Sequence, residues 1–289
     1  RGRTIGSQMM SGSAAGREWI GHMDPDIHHV PFPYPWDLEG CDPAAFFEEG
    51  LRDLSLRGID PMTDICGMML ETFQGWGAVF YPDEYVQAVE AFCLEAGVVL
   101  AFDEMQAGFG RTGRDFGFQH YGVTPDLICC GKGMSGGLPL SGVLGRSDIL
   151  DIAPVGSMSS THSANPVVCA AGLATLEEIE SNQLVAESDR KGKLMHDKLN
   201  ILKAKYNDRI AYVLGRGLIA AVLFCRPGGT DPDAEFTSQV AELCMRKGLL
   251  VVHTGRESIK IGPPLTISDD ALMEGVEVLD EAIAEVIGV

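Results

Sequence analysis

Val98-Val99-Leu100-Ala101-Phe102-Asp103 is a short apolar run that ends on an acid. The form recurs on both sides of it. Residues 65–70 run into Glu71, and residues 126–130 run into Gly131-Lys132. Residues 140–144 make a further short apolar run. Between these lie helical patterns. Residues 43–57 place Phe46, Phe47, Leu51 and Leu54 at helical spacing, and residues 82–96 are amphipathic with Pro82 or Asp83 near the start. Continuous apolar strands alternating with helices predict a mainly parallel sheet covered on both faces, an α/β architecture. In open sheets of this kind ligands bind outside the carboxyl ends of the strands. One ionisable residue at a strand end is ordinary. Glu71, Asp103 and Lys132 at one edge point to a polar pocket.

Outward from this centre the pattern changes. The first 45 or so residues read as loop, because the alternating prolines of Pro31-Phe32-Pro33-Tyr34-Pro35-Trp36 exclude a helix interior. Residues 167–206 read as helical throughout. Residues 210–224 read as strand, turn (Gly215-Arg216-Gly217) and strand, and residues 234–246 as helix. Short strands follow at 249–253 and 259–261, then a closing helix over 269–287 with Ser268 as its N-cap. The domains expected are a large one over 1–168, a long connecting helix over 169–206 and a smaller α+β unit over 207–289.

Composition bounds the function. The chain has 289 residues, 45% of them hydrophobic and 22% charged, which excludes disorder. No apolar run approaches the ~18 residues of a membrane span. Lys and Arg number 22 against 41 Asp and Glu, a net charge of −19. Such a surface repels phosphate backbones and anionic lipid, so neither a nucleic acid nor a membrane is an expected partner. The eight cysteines form no CxxC pair, and buried, reduced thiols in a cytoplasmic protein are expected. His22, His28 and His29 have no neighbours at ligand spacing, and no metal site is expected. Arg1-Gly2-Arg3-Thr4 is polar with no apolar stretch after it, so no leader is expected, and without an opening Met the chain reads as part of a longer one.

Asp103 and Lys132 suggest one chemistry. A lysine amine attacks carbonyls in its neutral form and forms a Schiff base with an aldehyde. A buried carboxylate favours the protonated form of a nearby pyridine nitrogen. Together they suit pyridoxal phosphate, whose protonated ring is an electron sink. A lysine among Gly131, Gly133, Gly136 and Gly137 also suits a phosphate ligand, although the GxxxxGK[ST] form is missing, and Gly131-Lys132-Gly133 alone reads as a surface turn.

The spaced motif Ala101-Phe102-Asp103-Glu104-Met105-Gln106-Ala107-Gly108-Phe109-Gly110-Arg111-Thr112-Gly113, Pro125-Asp126, Gly131-Lys132-Gly133, Gly136-Gly137 and Leu138-Pro139-Leu140 resembles the class III (subgroup II) aminotransferases, pyridoxal-phosphate enzymes of fold type I. Weaker likenesses are Gly2-Arg3-Thr4, Glu71-x-x-Gln74-Gly75, Thr161-His162-Ser163-Ala164-Asn165-Pro166 and Pro263-Pro264-Leu265. The resemblance implies amino transfer from an amine or amino acid to a 2-oxo acid, with pyridoxal 5'-phosphate as a Schiff base on Lys132. Lys132 then shuttles the α-proton, Asp103 pairs with the pyridinium and Gln106 bonds the ring hydroxyl oxygen. Thr161 reaches the phosphate across a homodimer interface, and Glu71 lies near the pocket floor. Arg111-Thr112-Gly113 is expected as loop architecture. Racemases, epimerases, aminomutases and decarboxylases of the same fold share Lys132 and Asp103, and an inactive truncated relative serving only as a subunit is a further alternative.

The departures bear on substrate. Amino-acid-specific members carry an Arg, in Arg-x-x-Pro-Pro-Leu, that binds the substrate carboxylate; Lys260 stands there. Lysine is a point charge without the bidentate fork. Many members pair that Arg with a Glu just after the Gln-Gly; Trp76 stands there. An ornithine- or 4-aminobutyrate-type preference is therefore not expected, and a bulkier or less anionic amine stacking on Trp76 is. The family's region before Gly-Arg-Thr, with its phosphate-binding loop and ring-stacking aromatic, is not in this sequence. Weak cofactor binding and little activity are expected of the 289 residues alone.

Overall fold

The computed structural model describes residue 2, residues 4–38 and residues 40–288. Arg3 of the Gly2-Arg3-Thr4 triplet lies outside the described residues. The loop-like opening contains three short turns, α1 (Ile5–Met9), a 3-10 turn (Glu18–Ile20) and α2 (Pro35–Leu38). In α3 (Pro43–Leu56) the Asp42 carboxylate accepts from the Ala45 N–H and Pro43 opens the first turn, where its missing N–H costs nothing. Next come β1 (Gly67–Glu71), a small hairpin of β2 (Phe73–Gln74) and β3 (Val79–Phe80), α4 (Asp83–Ala96), β4 (Val99–Asp103), β5 (Leu127–Cys130), β6 (Gly142–Gly145) and α5 (Ser147–Leu150).

The first sheet has the order β1-β4-β5-β6, with β1, β4 and β5 mutually parallel. The strand β6 is antiparallel to β5. A parallel return needs a crossover of a dozen or more residues, usually a helix, and only a short 3-10 turn intervenes here. Leu70, Leu100 and Phe102 pack on Tyr85, Val86, Val89 and Phe92 of α4 and on Phe47 of α3. Each such side chain contributes about 1.5–3 kcal/mol on burial.

The expected continuous connecting helix over 169–206 is two helices, α6 (Pro166–Ser181) and α7 (Leu184–Lys205). The break has a local cause. Ser, Asn and Gln follow one another at 181–183, the Asn182 side-chain amide donates to the Glu178 carbonyl (3.3 Å), and Gln183 is left-handed at φ 51°. The division matters for the domains. Helix α6 packs on the turn that carries Lys132, whereas Met195, Leu199 and Leu202 of α7 belong to the core of the second unit.

That unit is an antiparallel sheet of order β7-β8-β10-β9, built from β7 (Ile210–Arg216), β8 (Ile219–Phe224), β9 (Val252–His253) and β10 (Ser258–Ile261). The β7–β8 turn falls at Gly217-Leu218, slightly later than expected. Helices α8 (Ala234–Arg246) and α9 (Asp269–Ile287) cover it, and Ser268 caps α9 by accepting from Ala271 N–H at 3.2 Å. A mainly parallel α/β unit beside a smaller α+β unit is the architecture read from the strand pattern. Among the described residues no helix is long and apolar enough to cross a membrane. All eight cysteines are free thiols; Cys93, Cys130, Cys225 and Cys244 are buried as expected, but Cys41 and Cys66 are exposed. Burial pushes the Cys93 thiol up to about 12.

Candidate active site

The strand register assembles the site. Glu71 is the partner of Asp103 across β1 and β4, and Asp103 is the partner of Cys129 across β4 and β5. The three parallel strands therefore end at one level, and Lys132 opens the 3-10 turn (Lys132–Ser135) just beyond β5. The sheet edge carries Glu71 half-buried, Asp103 buried and Lys132 exposed. One Asp103 oxygen accepts the Met105 N–H at 3.0 Å, which fixes the carboxylate at the start of the following turn. Gln106 sits half-buried on that turn. Lys132 has φ 46°, a left-handed backbone that costs a non-glycine residue roughly 1–3 kcal/mol and concentrates at functional sites.

Glu104 is a component that sequence reading did not single out. It is fully buried. Its carboxylate accepts the Gly117 and Phe118 N–H groups, both at 2.8 Å, and the Thr72 hydroxyl. Burial raises its pKa above the usual carboxylate range, against the lowering effect of those three donors. Successive side chains at a strand end point to opposite faces, so Asp103 faces the edge while Glu104 turns inward and pins the loop that returns at 117–118. The adjacent Asp-Glu pair was the available signal.

Trp76 and Lys260 come together through the turn between β2 and β3. The Lys260 ammonium donates to the Gly75 carbonyl at 2.9 Å, and the Ser258 hydroxyl donates to the Trp76 carbonyl at 2.9 Å. Strand β10 of the second unit thus holds the turn that follows Glu71. Trp76 is not a bare platform. The Arg256 guanidinium lies 3.8 Å from its ring centroid, its indole N–H donates to the Tyr34 hydroxyl at 3.2 Å, and Trp36 tilts against it. The prolines around Tyr34 and Trp36 hid their part in this wall.

Arg111 joins the two units. Its guanidinium donates to the Leu218 (2.8 Å) and Pro263 (2.6 Å) carbonyls, and its own carbonyl accepts the Leu218 N–H at 3.0 Å. This is an architectural role for the Arg111-Thr112-Gly113 loop. Gly217 is required there, because at φ 58° an added Cβ would lie 2.2 Å from the Thr112 carbonyl carbon.

Thr161 stands on the stretch 154–167, exposed at every residue. The same stretch leaves Val155, Met158 and Val167 exposed as large apolar side chains. Two clefts elsewhere, one around His28 and Arg57 and one around Arg114 and Gln183, contain none of the strand-edge residues.

The model of the aminotransferase class-III family matches residues 1–283. A 4-aminobutyrate aminotransferase of Mycobacterium bovis is 36% identical over 276 residues, covering 92% of this chain and 61% of that protein. A leucine/methionine racemase of Thermococcus litoralis is 32% identical over 292 residues, covering 99% of this chain and 65% of its own length. A solved amine transaminase from an uncultivated Pseudomonas species, in its PLP-bound form, superposes with a TM-score of 0.87 at 28% identity, over 98% of this chain and 67% of that one. The chain thus spans 61% of the length of the mycobacterial relative. The match over residues 1–283 and the 36% identity place the chain among the class III aminotransferases, to which it belongs.

Proposed function

We propose that this chain performs amino transfer from an amine or amino acid to a 2-oxo acid, at the strand edge that carries Asp103 and Lys132. The observation that supports it most is the register. A buried carboxylate and a lysine amine on a left-handed backbone close adjacent parallel strands at one level.

The residues fit pyridoxal phosphate. Beside Lys132, an added Cβ at Gly133 or Gly137 would touch nothing, so the backbone there leaves room for a planar ring. Asp103 supplies an anion for the ring nitrogen, Gln106 an amide for the ring oxygen, Lys132 the amine that holds the aldehyde carbon, Thr161 a hydroxyl for phosphate and Glu71 a wall. When bound, the cofactor supplies an electron-accepting ring that stabilises negative charge on the substrate carbon. Asp103, buried and held by the Met105 N–H, keeps its charge aimed without reorganisation. The Lys132 Nζ takes a proton from the substrate carbon and returns it, and positioned transfer of this kind contributes ~10²–10⁴-fold.

Substrate preference follows from the second wall. With Lys260 spent on the Gly75 carbonyl and Trp76 where a carboxylate is common, ornithine and 4-aminobutyrate are poor donors and bulkier amines better ones. The exposed apolar side chains at 155, 158 and 167 support a homodimer in which Thr161 serves the second copy's cofactor. Free thiols throughout support a cytoplasmic location. The 32% identity to a racemase favours one other reading, proton exchange at the same carbon without a 2-oxo acid.

The discriminating experiment incubates the protein with pyridoxal phosphate and a bulky amine, with and without pyruvate, and follows alanine. Slow alanine formation, in keeping with the little activity expected of the 289 residues alone, that vanishes in Lys132→Ala is expected. Racemisation of the donor without pyruvate would favour the second reading, and turnover that survives in Lys132→Ala would reject both.

A further inference from the structure

We propose that the β7–β8 turn is an acid-released latch between the two units: Arg216 closes it on the first unit, and a proton on His120 opens it. The inference goes beyond the aminotransferase reading and stands without it.

Position comes first. Arg216 ends β7 and reaches out of the second unit. Its guanidinium lies over the Phe80 ring of β3, 4.8 Å from the centroid, and 5.8 Å from that of Tyr121. It pairs at 3.3 Å with Asp83, the first residue of α4. The side chains of Arg216 and Asp83 are 35% and 47% exposed. An ion pair so open to water is weak, which suits a contact that comes undone. Leu218 is tied by other means. Its N–H donates to the Arg111 carbonyl at 3.0 Å, and the Arg111 guanidinium donates to the Leu218 carbonyl at 2.8 Å. No proton alters those bonds, so the turn pivots on Leu218 when Arg216 leaves.

His120 supplies the trigger. It sits in the 3-10 turn (Gly117–Tyr121), its ring perpendicular to Phe80 with the centroids 5.9 Å apart. Its Nε2 lies 3.0 Å from the Thr112 carbonyl oxygen. Phe80 is therefore shared by His120 and Arg216. The charged groups that face His120 are Arg216 from β7, Arg114 from the loop after β4 and Asp83 from α4. A proton on the ring thus makes three cations around one carboxylate. Burial first, and the Arg216 charge second, hold the His120 pKa below the ordinary histidine value. The closed latch favours the neutral ring, so by linkage protonation favours the open latch, and opening falls below about pH 6.5. Opening uncovers the Phe80 end of the β2–β3 hairpin, whose Phe73 and Ala78 pack on Ile219, Ala221 and Leu223 of β8. That hairpin starts two residues after Glu71 and carries Trp76, so the latch couples acidity to the wall beside the strand edge. His196 of α7 faces the Gly217 and Ile219 backbone of the same turn and serves as the control.

The test is hydrogen exchange read by mass spectrometry, on the protein without cofactor, at pH 7.5 and pH 5.5 and with rates corrected for the intrinsic effect of pH. Peptides over 79–83 and 212–218 report the latch, and α8 reports global opening. From the higher pH to the lower, protection of the latch peptides should fall about fivefold or more relative to α8. The fall should vanish in His120→Gln, which keeps a donor for the Thr112 carbonyl and takes no charge, and should persist in His196→Gln. Arg216→Gln should show the low protection already at pH 7.5. Circular dichroism checks folding at both pH values. His120→Asn and Arg216→Lys replace any glutamine variant that fails to fold, with the lysine expected to lose part of the protection. Latch protection that ignores pH, that falls no more than in α8, or whose fall survives in His120→Gln or disappears in His196→Gln would overturn the proposal. Cofactor enters none of these measurements, so a missing borohydride adduct on Lys132 would sink the aminotransferase reading and leave the latch standing.

Discussion

Asp103 and Glu104 are neighbours in sequence and opposites in use. Asp103 ends its strand facing the site edge, and Glu104 is sealed beneath it with three donors. Removing one charge should separate the roles. Glu104→Gln leaves one N–H–carboxylate contact mismatched in a buried place, and a loss of roughly 2–4 kcal/mol is expected in urea unfolding. A change below about 0.5 kcal/mol would show that the loop is held without it. Histidines supply a pH dependence. Burial, the largest cause, lowers the pKa of His29, His120 and His196 below 6.5 in the folded chain. With the folded pKa depressed, the unfolded chain binds protons first as pH falls. Stability is therefore full above about 6.5 and declines below it. Melting temperatures between pH 8 and pH 5 should show that decline, and His196→Gln should flatten it. At this scale Asp103 and Lys132 were legible because each ends an apolar run. Glu104 was not, because its part comes from the backbone at 117–118, which no local spacing brings to it.

Elements were legible where periodicity was strong. The strands ending at Glu71 and Asp103, and the helices over 234–246 and 269–287, appear within a residue or two of where apolar spacing put them. Two elements departed from expectation. Strand β6 runs antiparallel because no crossover helix precedes it, and strand direction is not written in a four-residue apolar run. The long helix breaks at Asn182-Gln183, where an apolar pattern on both sides hid a local stop. The break is testable. Gln183 pays for a left-handed φ of 51°, so Gln183→Gly should stabilise the protein by about 0.5–1 kcal/mol. A lower melting temperature would mean that the Gln183 side chain makes contacts worth more than the backbone relief.

For the whole molecule, two units meet over the site. Arg111, Ser258 and Lys260 supply hydrogen bonds that cross between them, and Gly217 allows the backbones to touch. The sheet edge supplies charge, and strand β10 of the second unit clamps the turn that bears Trp76. The apolar side chains at 155, 158 and 167 give the molecule a face that water disfavours. Sedimentation should therefore find a dimer, and Met158→Asp should shift it toward monomer; an unchanged dimer would move the interface elsewhere. The central claim concerns one nitrogen. Treating the protein with pyridoxal phosphate, reducing with borohydride and mapping the modified peptide by mass tests it most directly. A single adduct on Lys132, lost in Lys132→Ala, is the predicted result. Label spread over the exposed lysines, or none at position 132, would contradict it.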